Sequence, residues 1–133
     1  KKTEQDRSPL KPGYYLAEIN QSQVKEISGG KGQMIEVRFK VVQGRFEGRY
    51  IYDRFLVGHN IPKVAEIAMQ RLARMTRALG LVNAEMIAGT EELHDIPIII
   101  KVTLDEEQDG YPARNSVKGY YFAKGTMTIN LVN

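Results

Sequence analysis

The chain of 133 residues contains no cysteine and only two histidines. The lack of cysteine excludes disulfides, thiolate nucleophiles, and cysteine ligands for zinc or iron–sulfur clusters. The histidines, His59 and His94, lie in predicted loops on either side of a predicted helix, and neither belongs to a metal-ligand or catalytic-triad pattern. A disulfide-stabilised secreted scaffold is therefore excluded, and a reducing, cytosolic setting is expected.

Long apolar segments are also missing. The longest uninterrupted apolar run, Ile96 to Ile100, contains Pro97 and is far shorter than the roughly 20 residues needed to span a bilayer. Residues 1–8 are charged or polar and lack the apolar stretch of a secretory signal. We therefore do not expect a membrane protein.

Recognisable catalytic and cofactor motifs are absent as well. The run from Gly29 to Gly32 has neither the Gly-Lys-Ser/Thr ending of a Walker loop nor the position of a dinucleotide fingerprint, since it joins two predicted strands. The acidic segment from Asp105 to Asp109 lacks the spacing and closing glutamate of a calcium loop, although a metal-dependent nuclease would have to use it. We therefore predict that the protein is not an enzyme and has no cofactor and no metal site.

The composition that remains is that of one ordinary folded domain. Apolar residues make up 42% of the chain and charged residues 26%, and 133 residues suffice for one hydrophobic core. Lysine and arginine outnumber aspartate and glutamate by 19 to 16, which gives a net charge of +3. This mild excess favours a polyanionic partner without identifying one.

Alternating apolar and polar residues predict five strands. The clearest is the second, where Ile35, Val37 and Phe39 lie on one face and Arg38 and Lys40 on the other. The predicted strands cover residues 14–27, 34–42, 49–56, 96–104 and 113–123.

A helix is predicted between the third and fourth strands. Apolar residues recur there at three- and four-residue spacing from Ile61 to Leu79. Asn60 is suited to cap the first turn, Pro62 to occupy it, and Gly80 to end the helix.

The resulting order, βββ-α-ββ, is the element order of the OB-fold, a five-stranded and partly open Greek-key barrel. An open α+β sheet is the alternative architecture. We predict a mainly β fold of the OB type over residues 12–124, with a flexible leader over residues 1–11 and a tail or extra strand over residues 125–133.

The outward face of the second and third strands carries the most informative pattern. One orientation of the third strand places Tyr50, Tyr52 and Arg54 outside, next to Arg38 and Lys40. Aromatic rings stack on unpaired bases and cations neutralise phosphates, which are the two contacts that a single-strand binder needs. The same tyrosines could instead be half-buried residues that suit a strand, and the pattern leaves both interpretations open.

Other candidate contacts lie outside these two strands. In OB barrels the ligand is flanked by the loops that join strands one to two and four to five. Lys31 belongs to the first of these loops and Tyr111 to the second, while Arg114, Lys118 and Tyr120 fall on one alternation of the fifth strand.

Two features of the pattern stay open. The helix carries Lys63, Arg71, Arg74 and Arg77 on or near its polar side, which form either a second phosphate track or a solvated face. In the chosen orientation of the third strand, Asp53 either faces the core or lies at a bulge.

Five short segments follow one another in a characteristic order: Pro12-Gly13-Tyr14-Tyr15, Gly30-Lys31-Gly32, Phe39-Lys40-Val41-Val42, Gly44-Arg45-Phe46-Glu47-Gly48-Arg49 and Lys63-Val64-Ala65-Glu66-Ile67-Ala68. Together they resemble a family of phage-encoded single-stranded DNA-binding proteins. The resemblance covers most of the chain, and the order of the segments is more specific than any one of them.

The resemblance implies an OB-type protein that protects or presents single strands during phage replication or recombination, in the cytoplasm of an infected bacterium. It further implies that Arg45, Phe46 and Arg49, in the turn between strands two and three, lie at the edge of the binding groove. Many single-strand binders end in an acidic tail, whereas this chain ends in an apolar segment at residues 128–132. Such a segment can form an extra strand and pair two copies into a homodimer.

The sequence therefore predicts a sequence-tolerant binder of single-stranded DNA, with RNA as a further ligand and phage replication or recombination proteins as further partners. The second hypothesis is a protein-interaction or structural phage module that receives another protein by strand addition. The predicted contacts are Lys31, Arg38, Lys40, Arg45, Phe46, Arg49, Tyr50, Tyr52, Arg54, Tyr111, Arg114, Lys118 and Tyr120.

Overall fold

A computed structural model of the chain describes residues 8–81, 89–124 and 129–132. These residues form the strands and the helix that the sequence predicts, in the order βββ-α-ββ, with a single 3-10 turn at Thr90–Leu93 before the fourth strand. The elements are β1 (Gly13–Glu26), β2 (Gly32–Val41), β3 (Tyr50–His59), α1 (Pro62–Ala78), β4 (Ile98–Asp105) and β5 (Arg114–Phe122).

The five strands form one antiparallel sheet in the order β3-β2-β1-β4-β5. The long strand β1 lies at the centre, where it pairs with β2 along most of its length and with β4 over Gly13 to Ala17. The strands β3 and β5 are the two edges, and no backbone ladder joins them within the described residues. The mainly β architecture with one helix is confirmed, as an open sheet, while closure into an OB barrel stays a prediction.

The core lies between one face of the sheet and α1. Tyr15 and Ile19 of β1 and Phe39 of β2 are each at most 1% exposed, and α1 adds Leu72 and Met75. Full burial of one large apolar side chain contributes about 1.5–3 kcal/mol, so this face fixes the orientation of every strand. The helix packs mainly on β3 and also reaches β5, so it covers the side where the two edge strands approach each other.

The ends of α1 show one wrong prediction and one confirmed prediction. The N-cap is Ile61 and not Asn60, and the backbone N–H of Ile61 donates to Nδ1 of His59 at 3.0 Å. Gly80 ends the helix as predicted, with a φ of +86° that suits glycine, and its N–H and that of Leu81 bond to carbonyls of the last turn.

A bulge in β5 overturns the predicted alternation of that strand. The register with β4 shifts at Lys118, which makes it an extra residue between Val117 and Gly119. A bulge reverses the faces that the following side chains occupy. Tyr120 therefore lies on the inner side together with Val117, and the prediction that it shares one face with Arg114 and Lys118 is wrong.

Both ends of the described chain pack against the sheet. Leu10, inside the predicted flexible leader, is 1% exposed, and its backbone N–H and carbonyl bond to the Asn115 side chain at 2.7 and 2.9 Å. Near the other end, Leu131 bridges to Tyr14 and the Val132 N–H donates to the Tyr14 carbonyl at 2.8 Å. The remainder of the leader and tail, residues 1–7, 125–128 and 133, lies outside the described residues. The terminal segment thus pairs within its own chain, and a homodimer stays a prediction.

Candidate nucleic-acid interface

The outer surface of β2 and β3, here called the β2–β3 face, carries the predicted tyrosines and cations. Inward burial of alternate β3 residues leaves Tyr50 and Tyr52 47% and 45% exposed, with Arg54 also on the outside. The ladder between the strands places Lys40 opposite Tyr50 and Arg38 opposite Tyr52. The predicted orientation of β3 is confirmed, and it puts two accessible rings beside two cations.

Arg38 and Tyr50 are already stacked on this face. The guanidinium carbon of Arg38 lies 4.0 Å from the centroid of the Tyr50 ring, a diagonal cross-strand contact. Its Nε donates to Oδ1 of Asn20 at 3.0 Å, and Asn20 is the extra residue of a bulge in β1. The bulge thus aims a hydrogen-bond acceptor at Arg38 and holds the guanidinium over the ring.

Glu36, which is not among the predicted contacts, adds a carboxylate to the same face. It is 6% exposed because long neighbouring side chains cover it. Its oxygens lie 2.9 Å from Nη2 of Arg54, 3.5 Å from Nζ of Lys25 and 3.3 Å from Nε2 of Gln23. The carboxylate offsets the charge of Arg54, so the positive charge of the face is concentrated toward the start of β3.

Behind the face, Asp53, Arg71 and Tyr120 form a polar group that we call the Asp53 cluster. Asp53 is 8% exposed and faces inward, where Nη2 of Arg71 lies 2.9 and 3.1 Å from its two oxygens. The Tyr120 hydroxyl donates to the same carboxylate and accepts from Arg71 at 2.8 Å. Nη1 of Arg71 also donates to the Arg54 carbonyl at 3.1 Å. Arg71 therefore links α1 to β3 and is not part of a solvated helix face.

The Asp53 cluster lies on aromatic rings, and its environment shifts the pKa values of Tyr120 and Arg71. The Arg71 guanidinium lies 4.8 Å from the centroid of Phe55, and the Tyr120 ring is 6.3 Å from Phe55 and 6.5 Å from Phe39. Burial raises the pKa of Tyr120 well above its usual value, and the Asp53 carboxylate raises it further. Burial alone would lower the pKa of Arg71, but Asp53 holds it above the usual value. At neutral pH the cluster is an ion pair bridged by a neutral phenol.

A groove of about 580 Å³ opens beside this cluster, between β3, β5 and α1. Five of its lining side chains are cationic, and the single carboxylate, Asp53, is the one paired with Arg71. Its lining residues are Tyr52, Asp53, Arg54, Arg71, Arg74, Arg114, Asn115, Ser116, Val117 and Lys118.

Arg114 and Lys118 thus lie in the groove and not on the β2–β3 face. Lys31 is further away, because it precedes the end of the hairpin where Gly32 pairs with His59. At about 3.3 Å per residue along β2, Lys31 is roughly 30 Å from Lys40. The structure therefore does not bring Lys31 together with the tyrosines.

Part of the turn between β2 and β3 packs against the core. The Phe46 ring meets Tyr15 edge-on, with centroids 6.0 Å apart, and the Arg45 guanidinium lies 5.4 Å from the Phe46 centroid. Arg49 donates to the backbone carbonyl of Ser8. Phe46 is thus half-buried and held by the core, whereas Arg45 stays exposed. The remaining predicted contact, Tyr111 of the β4–β5 loop, is 74% exposed.

No group of three or more histidine, cysteine, aspartate or glutamate residues in the described part of the chain could hold a metal ion. No helix of residues 8–81, 89–124 and 129–132 is both long and apolar enough to cross a membrane.

Comparison with known families identifies the chain but not its activity. A model of the DUF669 family, described as a protein of unknown function, matches residues 1–125, so the chain belongs to this family. A comparison with curated proteins gives no match. The family description names no ligand or partner, and the likeness to phage single-stranded DNA-binding proteins therefore stays a prediction.

Proposed function

We propose that this member of the DUF669 family binds single-stranded DNA across the β2–β3 face, without strong sequence preference and without catalysis. The observation that carries the proposal is the pair of exposed rings, Tyr50 and Tyr52, in register with Lys40 and Arg38. Every base has an aromatic face, so stacking on these rings tolerates any sequence. The cations neutralise the phosphates between stacked bases.

The strand arrangement supports a binder of the OB type. All paired strands are antiparallel, so the edge strands β3 and β5 run in the same direction. Their side chains meet through Phe55, Asp53 and Tyr120, and α1 covers this junction. We propose that this is an OB barrel in which side chains, in place of a backbone ladder, connect β3 to β5. The proposed ligand crosses strands two and three, as in other OB barrels.

The proposed setting is the handling of single strands during phage replication or recombination, which the resemblance implies. RNA is a further ligand to be compared with DNA. Localisation to the cytoplasm of an infected bacterium belongs to the same proposal.

The test is fluorescence anisotropy of a labelled oligothymidine, titrated with the protein at low and moderate salt, with a matched duplex as competitor. We expect salt-sensitive binding that the duplex does not displace. Loss of one stacked base costs about 1–3 kcal/mol, so Tyr52→Ala should weaken binding about 5- to 150-fold. Tyr52→Phe keeps the ring and should bind nearly as tightly as the unmodified protein.

An unchanged affinity in Tyr52→Ala would remove the β2–β3 face from the site. No binding of any oligonucleotide at low salt would refute the proposed function, and the strand-addition hypothesis would take its place. Equal loss in Tyr52→Ala and Tyr52→Phe would assign the effect to the hydroxyl and not to stacking.

A further inference from the structure

The groove between β3, β5 and α1 has the shape and charge of a second binding surface. Its volume of about 580 Å³ is in the range of known ligand sites. Arg74 reaches it from α1, and Arg114 and Lys118 reach it from β5; all three side chains are exposed. The groove therefore collects positive charge from two elements that are far apart in the sequence.

The negative charge in the groove is already neutralised. Asp53 is the single carboxylate among the lining residues, and its oxygens accept hydrogen bonds from Arg71 and Tyr120. The Asp53 cluster thus contributes almost no net charge. Arg74, Arg114 and Lys118 outnumber the nearby Asp105 carboxylate, which accepts a hydrogen bond from the Ser116 hydroxyl, so the local potential favours an anion with spaced charges, such as a phosphodiester chain.

The groove is continuous with the β2–β3 face. Tyr52 and Arg54 belong to the face and also line the groove, so no barrier separates the two surfaces. Arg114 and Lys118 are four residues apart on one strand, about 13 Å at 3.3 Å per residue. That distance suits contacts with different phosphates of one chain.

We propose that a single strand bound on the β2–β3 face continues past Tyr52 into this groove, where Arg74, Arg114 and Lys118 contact its phosphates. This inference rests on the proposed function and extends the site to β5 and α1. The alternation of β5 gives the geometric basis, because Lys118 is exposed while its neighbour Val117 is buried. In this proposal the bound nucleic-acid strand bends around the edge of β3.

The test compares two labelled oligothymidines, one of about 5 and one of about 15 nucleotides, lengths close to the lower and upper ends of the known range for one OB fold. The variant is Arg74→Gln with Lys118→Gln. Its matched control is Arg77→Gln with Lys101→Gln, which removes the same charge from exposed residues of α1 and β4 outside the groove. Thermal unfolding of both variants checks that the fold is intact.

Each phosphate contact adds about 0.7 to the slope of log affinity against log salt concentration, which corresponds to about five-fold in affinity at 0.1 M salt. We therefore expect the groove variant to bind the long oligonucleotide about 25-fold more weakly than the control does, with little difference on the short one. Equal affinities of variant and control for the long oligonucleotide would overturn the inference. An equal loss on both lengths would also overturn it, since Arg74 and Lys118 would then belong to the primary site. If the unmodified protein binds neither oligonucleotide, the proposed function fails as well, which distinguishes the two failures.

Discussion

The replacement Asp53→Asn removes the only negative charge of the Asp53 cluster while keeping the size of the side chain. Arg71 then loses an ion pair with contacts of 2.9 and 3.1 Å, and one of the donors now meets an amide NH₂. Breaking a buried ion pair costs about 3–5 kcal/mol. Because the Arg71 side chain keeps 26% of its surface exposed, solvent screens part of the loss. We expect the free energy of unfolding to fall by about 3 kcal/mol.

The assay is chemical denaturation at neutral pH, followed by the fluorescence of the tyrosines or by circular dichroism. Asp109→Asn is the matched control, because it removes the same charge from an exposed loop residue with a positive φ that asparagine tolerates. A loss below about 1 kcal/mol in Asp53→Asn, or an equal loss in the control, would refute the view that the cluster holds β3 to α1 and β5.

Three further predictions test other parts of the structure. The pKa of Tyr120 in the folded protein lies above its unfolded value of about 10, so the stability that Tyr120 contributes is fully present below pH 10 and is lost as the pH rises. Above pH 10 the free energy of unfolding should fall by about 1.4 kcal/mol per pH unit because of this group, and Tyr120→Phe should remove this contribution to the slope. A Cβ at Gly32 would lie 1.9 Å from a carbonyl oxygen of the facing strand, whereas a Cβ at Gly30 would meet no atom within 4 Å. In chemical denaturation, Gly32→Ala should therefore lower the free energy of unfolding by more than about 2 kcal/mol, and Gly30→Ala by about 1 kcal/mol. Glu36→Gln should raise the affinity for oligothymidine about five-fold at 0.1 M salt in the anisotropy assay, because Arg54 gains a phosphate contact.

Each of these expectations has an outcome that contradicts it. An alkaline slope that is the same in Tyr120→Phe would assign the pH dependence to other groups. Similar losses in Gly32→Ala and Gly30→Ala would show that the hairpin adapts to the added methyl group. A lower affinity in Glu36→Gln would mean that the carboxylate positions Arg54 for binding and does not compete with the phosphates.

The order of elements and the orientation of β3 could be predicted from the sequence because both follow from local periodicity. Alternation in β2 puts Val37 and Phe39 inside, and the cross-strand partners in β3 must then point the same way. The helix likewise follows from its three- and four-residue spacing and from Gly80 at its end. Such signals lie within a few residues of one another, so one sequence is sufficient to detect them.

Bulges and long-range polar contacts could not be predicted in this way. The extra residues Asn20 and Lys118 carry no local mark, yet each reverses the face of the residues that follow. The prediction for Tyr120 was wrong because of the bulge at Lys118. Arg71 looked like an exposed helix cation because its partner, Asp53, lies 18 residues away, in another element. Only the packing of α1 on β3 brings the two together.

Within the described residues no backbone ladder joins β3 to β5, and the groove lies beside this gap. Paired strands lie about 4.8 Å apart, which would leave no room for a ligand between them. Here Asp53 and Tyr120 connect the two edges through side chains, with Arg71 supplied by α1, and the space beside this connection is the cationic groove. The same contacts that replace a ladder therefore also neutralise Asp53, the single carboxylate among the lining residues of the groove. A ligand that occupies the groove binds only the arrangement in which β3, β5 and α1 are held together, and its binding must stabilise that arrangement.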